Sequence, residues 1–232
     1  MGKPSRSSHD STSADTRRQL LDAAAGVFAG RGFHHATVRD ICRIAGANLA
    51  AIRYHFGDKE ALYAAVLHET APAPATPPAG SPLPPLATQL RNFIHSFLAR
   101  IAEEGVAGHH GCIMAREMVD PTPALDDLVQ HFIRPQHEWL QRLVRDLAGP
   151  GFSSAQIRRI AHSIVSQVLF YKHCNAALSR LAPADCLSPS NLDDIADHIT
   201  RFSLAAIASF KNSDDSPRPA RISSRTRSRP SR

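Results

Sequence analysis

Four side chains between residues 48 and 59 have the types and spacing of a surface that contacts DNA: Asn48, Arg53, Tyr54 and Lys59. Arginine can pair bidentately with guanine or clamp a phosphate, and the sequence leaves both roles open for Arg53. A phenol hydroxyl and an ammonium group can hold phosphate oxygens, which sets the register of a protein on a duplex without reading bases. These chemistries need a rigid element that presents the side chains to a groove.

Two short helices joined by a glycine are predicted to supply that element. The first runs from Thr37, a suitable N-cap, to Ala45, and Gly46 provides a left-handed stop. Asn48 can cap a second helix that continues to Phe56. In such a helix-turn-helix the second helix enters the major groove of DNA.

Two further helices complete a small N-terminal head. One is predicted from about Asp15, a possible N-cap, to Gly30, and the other opens at Asp58 and continues to about Thr70. The apolar stripe of the first helix consists of Leu20, Leu21, Ala24, Val27 and Phe28.

Three blocks in this order carry a family resemblance: LLDAAAGVFAGRGF, ATVRDICRIAG and YHFGDKEALYAAVL. Over about residues 16 to 69 the chain resembles the DNA-binding domain of the TetR family of bacterial transcriptional regulators. A similarity to the CecR-type branch is carried by GANLAAIRYHFGDKEALY, AREMVDPTPALDDLVQHFIRP and VLFYKHC. The resemblance implies an all-α fold, with a three-helix helix-turn-helix head and a larger helical body for ligand binding and dimerisation.

The resemblance also implies roles for residues in and around the helix-turn-helix. Phosphate contacts are expected from Thr37, Tyr54, His55 and Lys59. Base reading is expected from Asn48, Leu49, Ala50 and Arg53. The arginine is a departure, because the family usually has tyrosine at that position. The alternative for Tyr54 and His55 is that they only pack the helices together.

Composition divides the chain into five segments. A polar arm (1–14) and a basic tail (211–232) are expected to be disordered. The DNA-binding domain spans 15–60, and a linking helix with a proline-rich connector spans 61–85. The seven prolines of this connector exclude a helix there. Residues 86–210 form the predicted body for ligand binding and dimerisation.

Apolar residues recur at helical spacing throughout the predicted body, residues 86–210. A kink or break is expected at Pro135, and Ser153 with Gln156 can form a capping box. The predicted helices are 86–104, 112–119, 123–147, 154–181 and 191–210. The last two have more apolar positions than one body-facing stripe requires, so we expect them to build a homodimer.

Aromatic and methionine side chains on the middle helices are candidates for an effector pocket, because such pockets are apolar with few polar anchors. For each residue alone, a place in the core is the ordinary alternative. Arg116 and Glu117 lie in an otherwise apolar helix, where they can form a structural ion pair or orient a ligand. The candidate ligand-binding residues are Phe97, Met114, Arg116, Met118, His137, Trp139 and Phe170.

Thirteen histidines and four cysteines invite a metal hypothesis, with His109, His110 and Cys112 as the best cluster. Adjacent histidines point apart on a helix, and no paired ligand motif accompanies them, so a short surface turn is the better interpretation. No metal site or cofactor is expected, and the cysteines are expected to be reduced thiols. No enzyme motif such as GxSxG, a P-loop, HExxH or GxGxxG occurs.

The formal net charge of +6 is concentrated at the C-terminus. Residues 15–69 carry net +1, residues 86–210 net −1 and residues 211–232 net +5. Attraction of the head to DNA must therefore come from where its charges lie. No signal peptide and no run of membrane-spanning length occurs, so a cytoplasmic protein without a membrane partner is expected.

These observations predict a homodimeric, ligand-responsive transcriptional regulator without enzymatic activity. By resemblance, it is expected to repress a transporter or efflux operon. A small apolar or amphipathic effector would bind the body and release the protein from a palindromic operator in double-stranded DNA. The alternative is a sequence-tolerant, nucleoid-type DNA-binding protein, which the basic tail favours and the small charge of the head disfavours.

Overall fold

The computed structural model describes residues 6–69, 83–103 and 105–213, and this part of the chain is helical without a strand. The head contains α1 (Arg6–His35), α2 (Val38–Ala45), α3 (Leu49–His55) and α4 (Lys59–Glu69). The body contains α5 (Leu86–Ala102), α6 (Gly105–Glu117), α7 (Ala124–Leu128), α8 (Arg134–Ala148), α9 (Ser154–His173), α10 (Asn175–Leu181) and α11 (Leu192–Ser213). The expected all-α architecture is confirmed.

Helix α1 begins earlier than the sequence predicts. Asp15 was the expected N-cap, but the helix extends back to Arg6, so most of the arm predicted to be disordered is helical. Residues 6–14 contain neither glycine nor proline, and each residue added to an existing helix gains one hydrogen bond. Near its other end, α1 is interrupted at Gly32, whose φ of 74° lies in the left-handed region that favours glycine.

The helix-turn-helix forms as predicted. Thr37 and Asn48 cap α2 and α3, and Gly46 ends α2 with a φ of 64°. Ile52, which is 2% exposed, is the residue that α3 buries, whereas Leu49 is half exposed. The apolar face of α3 is therefore anchored by a single large side chain, which leaves most of this short helix on the surface.

The head core continues into the next elements of the chain. Leu62, Tyr63, Val66 and Leu67 of α4 are buried in it. Ile113 of α6 and Leu128 of α7 join the same core. The linking helix thus packs on the head, and two helices of the body contact it directly.

A π-helical turn, Val129–Ile133, connects α7 to α8. Its Arg134 amide donates to the Val129 carbonyl, five residues back, and Pro135 follows in the first turn of α8. A proline lacks the amide that a continuous α-helix would use, so the wider turn marks the irregularity expected at this position.

Two predicted body helices have different bounds. The predicted helix 154–181 is broken at Cys174, whose φ of −101° and ψ of 8° separate α9 from α10 without a glycine or proline. The predicted surface turn at 109–112 is wrong, because these residues lie inside α6. Gly108 lies in the same helix, and a Cβ there would collide with the Glu103 carbonyl, so the glycine serves a close backbone approach.

Several predictions concern residues outside the described ranges. The connector is described only from Leu83 onward, and the basic tail only to Ser213, which ends α11.

The capping box of α9 is present as predicted, with both Ser153 and Gln156 contributing.

Candidate functional site

The second helix of the helix-turn-helix, α3, exposes both polar and apolar side chains to solvent. Asn48 Oδ1 accepts a 2.9 Å hydrogen bond from the Ala51 amide, which fixes the start of α3. The exposed side chains of this surface are Asn48, Leu49, Ala50, Arg53 and Tyr54. All four residues expected to read bases therefore lie on the surface of one short element.

Tyr54 is 80% exposed, so its ring is not part of the head core. Packing between helices was the alternative explanation for this residue, and that degree of exposure argues against it. His55 differs, because it is only partly exposed and its ring meets the Tyr54 ring edge-on at 4.9 Å. Tyr54 is therefore the exposed member of this pair, and His55 packs against its ring.

Thr37 is held in place by a reciprocal hydrogen bond with Asp40. Its hydroxyl donates to Asp40 Oδ2 at 2.8 Å and accepts from the Asp40 amide at 3.1 Å. The Thr37 hydrogen bond, followed by the charges of Arg31 and Arg43, lowers the pKa of Asp40 below its ordinary value. The Arg31 guanidinium lies 2.6 Å from the same carboxylate. The N-terminus of α2 is therefore fixed before any DNA contact.

Lys59 lies over the ring of Phe33, with Nζ 4.3 Å from the ring centroid, and its side chain is partly buried. This cation–π contact restrains the ammonium group at the start of α4. His34, in the last turn of α1, has Nε2 3.7 Å from Asp120 Oδ2 and so faces the body.

Arg39 and Arg43 are exposed on α2 and were not among the DNA contacts predicted from the sequence. The first helix of a helix-turn-helix crosses the DNA backbone, so cations on its solvent face are in a position to approach phosphates. Their spacing of four residues was visible in the sequence and places them on one helical face.

A cavity of about 230 Å³ lies in the body between α5, α6, α8 and α9. Four of the seven predicted ligand-binding residues line it: Phe97, Met114, Met118 and His137. The apolar wall is completed by Phe93, Ile101, Phe132, Ile133, Leu140, Val165 and Leu169. The structure thus brings residues from four separated helices together around one space.

Three predicted ligand-binding residues lie elsewhere. Trp139 stacks on Phe93 at 5.5 Å, behind the cavity wall. Phe170 is exposed on α9. Arg116 donates to the carbonyl oxygens of Ala29 and Gly30, at 3.2 and 3.0 Å, where α1 approaches its end. Helical spacing alone could not show which face of each helix turns toward the cavity.

Four polar residues of the cavity were not selected from the sequence: Arg100, Gln136, Lys172 and His173. Arg100 Nη2 lies 3.4 Å from Gln136 Oε1, and Lys172 Nζ donates to the Ile101 carbonyl at 3.2 Å. Burial lowers the pKa of Arg100. A cation one turn after Phe97 in an apolar helix was the signal that could have identified Arg100.

His137 is stacked on His162, with ring centroids 5.0 Å apart. Burial, followed by the charge of His162, lowers the pKa of His137. The neutral imidazole is therefore favoured in the cavity wall.

The ion pair expected between Arg116 and Glu117 does not form. Glu117 is fully buried, and its carboxyl group accepts hydrogen bonds from the Tyr63 hydroxyl at 2.7 Å and from Thr122. Burial, the hydrogen bond to Glu117 and its charge raise the pKa of Tyr63. Because adjacent residues leave a helix about 100° apart, Arg116 and Glu117 reach different partners.

Helix α6 therefore contacts both the cavity of the body and the helices of the head. Met114 and Met118 line the cavity, while Arg116 and Glu117 hold α1 and α4 of the head. A second connection joins α4 to α7, where Asp127 is hydrogen-bonded by His68 and lies 2.9 Å from His131 Nδ1. The His68 hydrogen bond is the largest of the causes that lower the pKa of Asp127.

A further surface is formed by α9 and α11. Phe202 (59% exposed) and Phe210 line a groove of about 560 Å³ between them, together with Phe152, Gln156, Arg159 and Ser163. Ile199, one turn before Phe202, is 1% exposed and belongs to the body core. Helix α11 therefore has one face in its own core and large aromatic side chains on another.

In the described ranges, no group of histidine, cysteine, aspartate or glutamate side chains has the arrangement of a metal site. Cys112 is exposed on α6. Among the helices that the structure describes, none combines the length and apolar character needed to cross a membrane.

Comparisons with known proteins agree with this architecture. Residues 86–207 match the family described as "HTH-type transcriptional dual regulator CecR, C-terminal domain", and residues 20–66 match "Bacterial regulatory proteins, tetR family". The chain is 26% identical over 168 residues to the HTH-type transcriptional dual regulator CecR of Shigella flexneri, covering 67% of this chain and 75% of that protein.

The head alone is similar to a further regulator. It is 45% identical over 56 residues to the HTH-type transcriptional repressor Rv1474c of Mycobacterium tuberculosis, covering 24% of this chain and 30% of that protein. These relatives are described as transcriptional regulators.

Solved structures share the fold across most of the chain. A TetR transcriptional regulator from Agrobacterium tumefaciens superposes with a TM-score of 0.59 at 17% identity, covering 84% of this chain and 97% of that one. HlyIIR, a hemolysin II transcriptional regulator, gives a TM-score of 0.57 at 24% identity, with 81% and 98% coverage. The chain belongs to the TetR family of bacterial transcriptional regulators, in the CecR-like branch.

Proposed function

We propose that this protein is a ligand-responsive repressor that binds a palindromic operator as a homodimer and leaves it when a small molecule enters the body. TetR-family regulators bind DNA operators, act as dimers and are generally repressors, and ligand responsiveness is typical of them. The observation that carries the proposal is the surface of α3, where Arg53 and Tyr54 are exposed beside a capped and anchored helix start.

The proposed roles at the DNA follow from chemistry and position. Thr37, Tyr54, His55 and Lys59 would contact phosphates, because each has a hydroxyl, an imidazole or an ammonium group near a helix end. Asn48, Leu49, Ala50 and Arg53 would face the bases from the first turns of α3. The apolar pair Leu49 and Ala50 is suited to contact with thymine methyl groups.

We expect Arg53→Ala to weaken binding to the operator more than binding to random DNA, because a bidentate contact with guanine contributes about 1–3 kcal/mol of discrimination. Electrophoretic mobility shifts with operator and competitor DNA, over a range of salt concentrations, would measure both affinities. An equal loss on both DNAs would show that Arg53 binds a phosphate instead.

Tyr54→Phe should weaken binding to both DNAs to a similar extent, because it removes one hydroxyl donor and retains the ring. The matched control is Tyr171→Phe, a hydroxyl deletion on α9 in the body. Unchanged affinity in Tyr54→Phe would remove this residue from the DNA interface.

The route from effector to DNA would pass through α6. This helix has Met114 and Met118 in the cavity wall and Glu117 hydrogen-bonded to Tyr63 of α4. A ligand that favours a shifted position of α6 would thereby move α4 and change the separation of the two heads. Because half-sites lie about one helical turn apart, that separation governs operator affinity.

The homodimer would form through α9 and α11. Large exposed apolar side chains that line a shared groove are typical of a covered surface, and Phe202 and Phe210 provide them here. The regulated genes would encode a transporter or efflux system, a proposal that rests on the sequence resemblance to the CecR-type branch.

A nucleoid-type role is the alternative that the basic tail favours. Its six arginines could only neutralise phosphates, so deletion of residues 214–232 should lower affinity for operator and random DNA by the same factor. Measuring both affinities with and without the tail would test this. A fall in operator preference would assign the tail a part in specificity, and a wild-type protein without operator preference would favour the nucleoid-type role.

A further inference from the structure

We propose that the cavity between α5, α6, α8 and α9 binds an anionic amphiphile, namely an organic carboxylate with a compact apolar body. This rests on the proposed function and names the chemical class of its effector.

Every charged side chain in the cavity lining is basic. Arg100 from α5 and Lys172 from α9 line it, along with the imidazoles of His137 and His173, and among the residues that the structure describes no aspartate or glutamate does. Glu103 and Glu138 are the acidic groups whose charges act on Arg100 and His137, but both are exposed and lie outside the lining. The interior therefore carries an excess of positive charge.

Both cations are held near the C-terminal end of α5. Lys172 Nζ is hydrogen-bonded to the carbonyl of Ile101, the residue after Arg100. Arg100 stacks over the Phe97 ring at 5.1 Å and approaches Gln136. Within the described residues, neither cation has a carboxylate within ion-pair distance.

Cations with only neutral acceptors are costly in a partly desolvated site, because the solvation they lose is not replaced by an opposite charge. Burial already disfavours the charged form of Arg100. A ligand carboxylate in this cavity would provide the missing charge and accept a hydrogen bond from Arg100 or Lys172, and such a bond is stronger because both partners are ionised.

The rest of the lining fits an apolar body. Aromatic, methionine and aliphatic side chains surround the space, and its volume of about 230 Å³ lies below the usual range of about 300–1,000 Å³ for ligand sites. A short acyl chain or a small aryl group is the size of occupant that this volume accepts. Octanoate combines such a body with one carboxylate and is a suitable probe.

Trp139 provides a direct signal of occupancy. It is the only tryptophan of the chain, and it stacks on Phe93, which lines the cavity. Ligand contact with Phe93 should change the fluorescence of Trp139. We would titrate full-length protein, without DNA, with octanoate, octanol and octylamine, which share the chain and differ in charge.

The affinity for octanoate should be higher than that for octanol by about tenfold or more, and octylamine should bind more weakly than either. Arg100→Gln and Lys172→Met should each reduce the preference for octanoate over octanol while octanol binding is retained. Arg142→Gln, which removes an exposed cation of α8 outside the lining, is the matched control and should leave the preference unchanged.

Equal affinity for octanoate and octanol, preference for octylamine, or absence of saturable octanoate binding would each overturn the proposal. These comparisons use the wild-type protein, so they decide the question even if a variant fails to fold. Operator binding, measured separately by mobility shift, tests the repressor proposal, and its failure would be distinguishable because the titrations contain no DNA.

Discussion

Phe202→Glu should convert the protein from a dimer to a folded monomer and reduce operator affinity by about 100-fold or more. The side chain is 59% exposed on α11 and lines the groove between α9 and α11, so a carboxylate there would meet the partner and not the body core. Loss of the second head removes the linked half-site contact, which typically contributes a factor of about 10²–10⁴. Light scattering would measure the mass, and mobility shifts the affinity.

The comparison residue for this test is Ile199. It also faces apolar surroundings on α11, but it is 1% exposed and packs in the body core, so Ile199→Glu should unfold the protein. Val119→Glu, a change at an exposed apolar residue outside the lining of the groove, should remain dimeric. A helical Phe202→Glu dimer with normal operator affinity would place the interface elsewhere.

Tyr63→Phe should lower the free energy of unfolding by about 1–3 kcal/mol, because it leaves the buried carboxyl group of Glu117 without one of its donors. The ring should remain in place against Phe28, which it meets edge-on at 4.8 Å. Urea denaturation followed by circular dichroism would measure the change. Tyr54→Phe, the deletion of an exposed hydroxyl, is the control and should have almost no effect on stability.

The same substitution should alter the dependence of stability on pH. The pKa of Tyr63 is raised above its ordinary value of 10.0, so the folded protein retains this proton where the unfolded chain has lost it. The contribution of the group is therefore present below pH 10.0 and is lost as pH rises above that value. Wild-type stability should fall more steeply above this pH than that of Tyr63→Phe, and parallel curves would contradict the assignment.

A third consequence concerns signalling, since the Tyr63–Glu117 hydrogen bond connects the linking helix to a helix of the cavity wall. Its removal should weaken the effect of a ligand on operator affinity more than it weakens operator affinity itself. An undiminished ligand effect in Tyr63→Phe would assign the coupling to other connections, such as the hydrogen bonds from Arg116 of α6 to α1 or Asp127 between His68 and His131.

Features that depend on residues close together in the sequence were predicted correctly, and features that depend on distant contacts were not. The caps at Thr37, Asn48 and Ser153 were predicted correctly, because a cap depends on residues within one turn. The break at Cys174 and the helical run through His109 were missed. Neither has a local signal that decides it, since Cys174 has no glycine or proline beside it and Gly108 is used for a close contact with Glu103.

The candidate sites show the same division. The DNA-facing residues form one continuous segment, so the sequence alone placed Asn48, Arg53 and Tyr54 on one surface. The cavity residues come from four helices far apart in the chain, and four of the seven candidate ligand-binding residues line it. Arg116 and Trp139 were misplaced because the periodicity of a helix gives its apolar face without naming the element opposite.

The all-α fold, the helix-turn-helix and the family could be predicted from the amino-acid sequence, because these depend on local capping, periodicity and contiguous motifs. The folded structure was needed to show that Glu117 is hydrogen-bonded to Tyr63, that Arg100 and Lys172 line one cavity, and that Phe202 is exposed while Ile199 is buried. Each of these facts depends on how helices distant in sequence rotate and pack against one another, and a helical period does not contain that information.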